Sequence, residues 1–227
     1  MTELLSYALD GKIATITMDD GKVNALSPTM LDELMAALDR AQSDEAVVVM
    51  TGREQTFSAG FDLRTPPEGW PDMVEGGARL AERILSFPRP VIAACNGNAI
   101  AMAAFVLLSS DYRIGVRGDF RVGLNEVTIG LTLPWFGVEI ARHRLTRPYF
   151  DRCAITGALL GPEEALAAGF LDELVLADEL AAAAGRAAEA LAGVNLDAHA
   201  ATKLRVRERV LAGVRDGIER FSDGRDW

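Results

Sequence analysis

Two short runs, Val47-Val48-Val49-Met50-Thr51-Gly52 and Pro90-Val91-Ile92-Ala93-Ala94-Cys95, are almost wholly apolar. A strand with one wet face alternates polar and apolar residues, whereas a strand buried on both faces does not. These runs therefore predict central strands of a sheet covered on both sides. The segments around them alternate between strand and helix patterns. Residues 4 to 9 and 12 to 18 flank Asp10-Gly11, a dipeptide that favours a tight hairpin, and Ala14, Ile16 and Met18 alternate with Thr15 and Thr17. Ser27-Pro28 caps and opens a helix over about 28 to 42, with Leu31, Leu34, Met35 and Leu38 at helical spacing.

The proline- and glycine-rich stretch 65 to 77 reads as a mobile loop, followed by a helical pattern through Leu80, Ile84 and Leu85. After Gly97 a small-residue helix is predicted to run to about Ser110, then strands at Tyr112-Arg113-Ile114 and from Phe120 to Val122. From Pro134 onward the chain reads as helices, one opened by Gly161-Pro162-Glu163-Glu164 and stopped at Gly169, and two long ones near 178 to 193 and 197 to 220. The fold class is α/β, with a core over 1 to 176 and a helical carboxyl-terminal region over 177 to 227.

Composition narrows the function. The 227 residues are 49% apolar and 25% charged, which fits one globular domain with a sizeable core. A formal net charge of -10 disfavours nucleic acid and anionic membranes as partners. The amino terminus lacks the basic-then-apolar build of a signal peptide, and no stretch of roughly 18 apolar residues occurs, so a cytoplasmic protein with no membrane partner is expected. Cys95 and Cys153 lie far apart without metal-ligand spacing and read as reduced, buried thiols. His143 and His199 fall in helical stretches without a Ser, Cys or Asp partner at motif spacing, so neither is expected to be catalytic. There is no P-loop, dinucleotide fingerprint or zinc constellation.

Two places can present backbone N–H groups to a ligand. Phe57-Ser58-Ala59-Gly60-Phe61-Asp62-Leu63 follows the first buried strand, and Gly60 can take a conformation that aims the N–H of Phe61 into a cleft. Asn96-Gly97-Asn98-Ala99-Ile100-Ala101-Met102 ends the second strand and opens a helix whose first N–H groups lack intrahelical partners.

The sequence FSAGFDL, then an Asn-Gly strand end with a small-residue helix start, then DYRI, GLNEVTIGLTLP and GPEEALAAGFLDELV resembles the crotonase (enoyl-CoA hydratase/isomerase) superfamily over about residues 12 to 176. The resemblance implies a spiral of repeated ββα units, an acyl-CoA thioester as substrate, no cofactor beyond the CoA it carries, no metal, and a homotrimer or dimer of trimers. The tail from about 177 is shorter than is usual for the trimer contacts. By position, the backbone N–H groups of Phe61 and Met102 would form an oxyanion hole, stabilising the enolate made when carbon 2 loses a proton. Ala101-Met102-Ala103 stands where many members have glycines, which narrows the space there.

The resemblance also implies the acid/base residue. Of the two glutamates that hydratases use, the first position holds Phe105 and the second holds Glu126. A single carboxylate matches the mitochondrial-type Δ3,Δ2-enoyl-CoA isomerases, which look similar in this respect. One group can carry a proton from carbon 2 to carbon 4. Hydration of a 2-enoyl thioester is the alternative, and a non-catalytic acyl-CoA-binding paralogue is a rival of another class. Lys22, Asn24, Ala25, Leu26, Ala59, Asp62, Leu63 and Arg64 are the expected CoA contacts. Met73, Phe105, Pro134, Trp135 and Phe136 are expected to line the acyl pocket. Asp62 and Asp111 are expected to serve mainly local structure.

Overall fold

The computed structural model describes residues 4–223. Chain order repeats one unit, two strands and then a helix; the first pair stays in one sheet, and the next three pairs are each divided between two sheets. The antiparallel hairpin β1 (Leu5–Asp10) and β2 (Ile13–Met18) leads into α1 (Pro28–Ser43). The pair β3 (Val47–Gly52) and β4 (Thr56–Ser58) precedes α2 (Trp70–Ser86), and β5 (Val91–Cys95) and β6 (Asn98–Ile100) precede α3 (Met102–Ser109). β7 (Tyr112–Val116) and β8 (Val122–Gly123) are followed by α4 (Trp135–Arg144) and α5 (Arg147–Thr156). The chain closes with β9 (Leu159–Leu160), α6 (Pro162–Ala168), β10 (Glu173–Val175), α7 (Leu180–Ala192) and α8 (Leu196–Ser222).

The larger sheet has the order β1-β2-β3-β5-β7-β10 and the smaller the order β4-β6-β8-β9. Beyond the first hairpin the larger sheet is parallel, and its two central strands are the apolar runs: Val48 pairs with Val91 and Ile92 with Tyr112. Five of the six residues of β3, all but Thr51, and all of β5 are buried, as two-sided coverage requires. The Ser27 hydroxyl accepts from Met30 N (3.2 Å) and Pro28 sits in the first turn, so α1 begins where the cap signal predicts.

Three expectations change. Residues 65 to 77 are not a loop throughout: a short 3₁₀ turn at Pro67–Gly69 runs directly into α2. Pro71 is tolerated because it occupies the first helical turn, where its missing N–H has no intrahelical acceptor. Gly76 and Gly77 lie in the helix interior. A Cβ on Gly77 would come within 2.5 Å of the Phe61 ring, so packing demands glycine there despite its poor helix propensity. The second change concerns residues 98 to 100, which form β6 before the helix starts at Met102. Third, the strand expected from Phe120 to Val122 is Val122–Gly123, and β9 and β10 interrupt the carboxyl-terminal helices. Two- and three-residue strands carry too little periodicity to be seen against helix patterns.

The carboxyl-terminal helix is fastened to the core by charge at its start and close packing at its end. Asp111, at the end of α3, accepts from Val91 N (2.7 Å) and Lys203 Nζ (2.7 Å) and pairs with Arg207 (2.9 Å). Lys203 and Arg207 are almost fully buried, and burial pulls the Lys203 ammonium down to about 8. Farther along, α8 packs on α2 and α4. A Cβ on Gly217 would meet Phe136 N at 2.6 Å, so the backbones approach as closely as glycine permits. Among the described residues no helix is long and apolar enough to cross a membrane.

Candidate active site

The Gly60 corner and the Ala101 corner meet. Gly60 has φ +86°, and a Cβ there would lie 2.6 Å from Ile100 O and 3.3 Å from Met102 N. The FSAG corner after β4 is thus pressed against the start of α3. Leu26 fixes its orientation from the other side: Leu26 N donates to Gly60 O (2.8 Å) and Asp62 N donates to Leu26 O (3.3 Å). In such a parallel bridge the intervening residue points its own N–H away from the partner, so the Phe61 N–H faces away from Leu26.

The second corner is strained. Ala101 has φ 52° and ψ -121°, a region that favours glycine, and its N–H donates to Gly123 O (2.9 Å). This turn makes Met102 the first residue of α3, where its N–H has no intrahelical acceptor and carries the positive end of the helix dipole. The Met102 side chain is fully buried, with its sulfur against Gly77 of α2 rather than in the cavity, so the methionine does not crowd the space in front of its own amide.

A cavity of about 700 Å³ opens beside these corners, and both Phe61 and Ala101 line it. Glu126 lines the same cavity from a 3₁₀ turn, Glu126–Ile129, which Gly130 closes with φ 81°. The Glu126 residue is 8% exposed, and its Oε2 is buried without a hydrogen-bond partner. Burial pushes the carboxyl up to about 7, opposed only by its own backbone N–H. It therefore changes protonation state near neutral pH, the range in which a carboxylate both takes and returns protons readily.

Phe105 also lines the cavity, 1% exposed, with its ring edge-to-face with Phe136 at 5.8 Å. A Cβ on Gly137 would fall 2.6 Å from the Phe105 ring, so Gly137 makes room for this aromatic. The position at which the resemblance places a second acid thus holds a hydrocarbon ring packed on α4.

Other expected residues divide. Pro134, Trp135, Phe136, Ala59 and Leu63 line the cavity, but Met73 does not: it is fully buried behind the wall, where its sulfur accepts from Thr65 Oγ1 (3.3 Å). Asn24 is a structural clamp. Its φ is 52°, and its buried amide nitrogen reaches Met18 O, Thr56 O and Phe57 O at 3.0 to 3.2 Å. Its Oδ1 accepts from Asp20 N (3.0 Å) and its carbonyl from Ser58 Oγ (2.6 Å), so no polar group of Asn24 remains for a ligand. Ala25 and Leu26 are buried beside it. Lys22 and Arg64 are exposed, and Arg64 holds Asp62 through two 2.8 Å hydrogen bonds that keep this carboxyl below its usual range.

Several lining residues escaped the sequence reading. Trp70 and Val74 come from the amino-terminal turns of α2, hidden by the misread loop, and Phe221 comes from α8, so the division at residue 176 cuts through the cavity wall. Asn125, the residue before Glu126 in the GLNE motif, lines the cavity as well. His143 and His199 do not line the cavity. Burial pushes His143 down to about 4 and lowers His199, so both are neutral at pH 7. Cys95 and Cys153 are free and buried. Among the described residues no cluster of three or more His, Cys, Asp or Glu could hold a metal.

Interleaved ββα units, a backbone corner pair and one buried carboxylate facing an apolar cavity define an enzyme of the crotonase fold. The particular assignment follows from comparison with known proteins: the enoyl-CoA hydratase/isomerase family model matches residues 9–215, and the chain belongs to that family. A solved enoyl-CoA hydratase/isomerase family protein from Pseudomonas syringae is 46% identical, with 96% of each chain covered and a TM-score of 0.93. A Mycobacterium tuberculosis enoyl-CoA isomerase structure is 44% identical over 98% of this chain and 99% of that one, also at 0.93. A probable enoyl-CoA hydratase of Mycobacterium avium is 31% identical over 95% of this chain and 89% of its own length. The names of these relatives thus divide between the two reactions.

Proposed function

We propose that this chain isomerises 3-enoyl-CoA thioesters to 2-enoyl-CoA through a bound enolate, with Glu126 as the only proton carrier. The observation that carries this reading is one buried carboxylate, with its Oε2 unpartnered and its carboxyl raised to about 7, in a cavity that Phe105 also lines. The thioester oxygen accepts from the N–H groups of Phe61 and Met102, which stabilise its charge as carbon 2 is deprotonated. Glu126 takes that proton and returns it to carbon 4. No second acid is required, because the proton leaves and re-enters on one face of the enolate.

The remaining contacts follow. Lys22 and Arg64 at the exposed rim meet CoA phosphates, Ala59 and Leu63 pack along its pantetheine, and the aromatic and aliphatic wall takes the acyl chain. No cofactor beyond the CoA of the substrate enters the scheme. The enzyme acts in fatty acid metabolism in the cytoplasm as a homotrimer or dimer of trimers, an assembly state that mass measurement in solution tests.

The decisive experiment incubates the protein with 2-enoyl and 3-enoyl thioesters side by side, using wild type and Glu126→Gln. Isomerisation of the 3-enoyl substrate should dominate and fall about 100-fold or more in the variant, with thioester binding little changed. Rapid hydration as the main wild-type reaction would replace this reading with the hydratase one.

A further inference from the structure

The last turn of α8 is gripped from two sides. The Arg220 guanidinium lies 5.2 Å from the centre of the Trp135 ring of α4, and Asp216, one turn back, holds it at 2.7 Å. Ser222 Oγ donates to Glu75 Oε2 of α2 (3.2 Å), and two turns earlier Arg215 pairs with Glu82 of the same helix (2.6 Å). Between the two grips sits Phe221, 7% exposed, and of these three consecutive residues it alone lines the cavity. Gly213 and Gly217, four apart and so on one face of α8, bring the helix this close. A Cβ on Gly213 would meet Glu139 Cγ at 2.7 Å, and one on Gly217 would meet Phe136 N at 2.6 Å. Exposed ion pairs contribute little singly, so the glycine contacts and the burial of the ring do most to fix where Phe221 stands.

The wall that Phe221 joins is mostly hydrocarbon. Trp70 and Val74 reach it from α2, Trp135 and Phe136 from α4, and among the described residues Glu126 is the one ionisable side chain in the lining. Such a wall discriminates between acyl groups by length and bulk, because contact is nearly all it offers them.

We propose that Phe221 is a specificity-determining residue for acyl length: its ring closes the part of the wall where α8 meets α2 and α4, and its size sets the chain length beyond which binding stops improving. The substrate class this selects is an uncharged hydrocarbon acyl chain of limited length. The inference rests on the reading of the cavity as the acyl site, and not on which reaction occurs there. It also separates two properties along the chain. The groups assigned to the chemistry, Phe61, Met102 and Glu126, belong to the strand-helix core, whereas the length limit is carried by α8, so a change at 221 alters substrate choice without touching them.

The test measures Kd by calorimetry for saturated, straight-chain acyl-CoA thioesters from butanoyl to hexadecanoyl, which bind without turnover, in wild type, Phe221→Ala, Phe221→Leu and Phe221→Trp. In wild type each added methylene should tighten binding about fourfold up to a limiting length and not beyond it. Phe221→Ala should move that limit to longer chains, so that the longest thioesters gain about 10-fold or more over wild type while butanoyl-CoA binds as before. Phe221→Leu should fall between Ala and wild type, and Phe221→Trp should move the limit to shorter chains. The Leu and Trp variants keep a large apolar group at the buried position and carry the test if the Ala variant does not fold. A variant that only loosens the fold weakens all lengths alike, so the ratio of long-chain to short-chain affinity separates specificity from stability. The same limit in every protein that folds, a limit that does not follow side-chain size, or tightening that continues through hexadecanoyl in wild type would overturn the inference and leave the acyl-site reading standing. Wild-type affinity independent of chain length throughout would instead strike the acyl-site reading itself.

Discussion

The Gly60–Phe61 and Ala101–Met102 corners and the Asn125–Glu126 pair, which border one cavity, are built by opposite means. The first pair is backbone held in place from all directions: Leu26 brackets Gly60 and Asp62, Gly123 accepts from Ala101, and the two corners touch at Gly60. The second pair presents side chains whose oxygens are left unmatched. The difference separates two jobs. Donors that stabilise a developing charge work best when they cannot move, so over-determined backbone suits them, strain included. A group that must change its protonation state needs an environment that does not commit it to one, and burial without a partner supplies that.

The sharpest way to break the comparison is Gly60→Ala. The added methyl would meet Ile100 O at 2.6 Å at a φ of +86°, so the corner has to open. Turnover should fall about 100- to 1,000-fold through loss of oxyanion geometry, with a stability loss of about 1–3 kcal/mol from the strained backbone. Steady-state kinetics and thermal melts check both, and unchanged turnover would show that the corner does not hold the oxyanion.

Acidity probes the other side. Glu126 has to be a carboxylate to take the first proton, so kcat/KM for isomerisation should rise about 10-fold per pH unit below about 7 and level off above it. The same raised acidity acts on folding in the reverse sense. Because the folded carboxyl titrates higher than the unfolded one, its contribution to stability is fully present below the usual value of 4.5 and is lost as pH rises through about 7. The loss is on the order of 3 kcal/mol. Glu126→Gln should therefore gain stability over wild type at pH 8 and little at pH 4.5. Melting curves across this range would contradict the account if the difference were constant.

Smaller effects sharpen the picture. Neutralising Lys22 or Arg64 should weaken CoA-thioester binding only about threefold, since exposed charges act through solvent, and added salt should erase the difference. Unchanged binding in both variants would place the phosphates elsewhere. Ala101→Gly should stabilise by about 1 kcal/mol, the relief of its strained φ less the added freedom of glycine in the unfolded chain. A destabilised Gly variant would mean that packing around Ala101, not backbone relief, dominates.

How much of this was legible beforehand depends on range. β3 and β5 announce themselves through runs of Val, Ile and Ala, and α1 through Ser27-Pro28, because those signals are local. Glu126 and the two corners were legible through their motifs. What the motifs do not show is which polar atoms are left over: nothing in the string GLNE says that the Asn125 carbonyl is taken by Thr128 while its Oδ1 has no hydrogen-bond partner. Asn24 illustrates the converse. Its place beside the CoA motif suggested ligand contact, yet folding brings Met18, Thr56 and Phe57 around it and uses up its amide. Trp70 and Val74 were hidden because Pro71, Gly76 and Gly77 argue locally against a helix that contacts with Phe61 and Met102 enforce.

The placement of Phe221 in the cavity wall bears on how the protein is made. Synthesis runs from the amino terminus, so the corners at residues 60 and 101 and the carboxylate at 126 are available to fold before α8 (residues 196 to 222) has left the ribosome. Until then α2 and α4 present the surface that α8 will cover, and the cavity lacks its last wall. A chain ending near residue 195 would therefore lack the helix that covers α2 and α4 and the ring that completes the cavity wall.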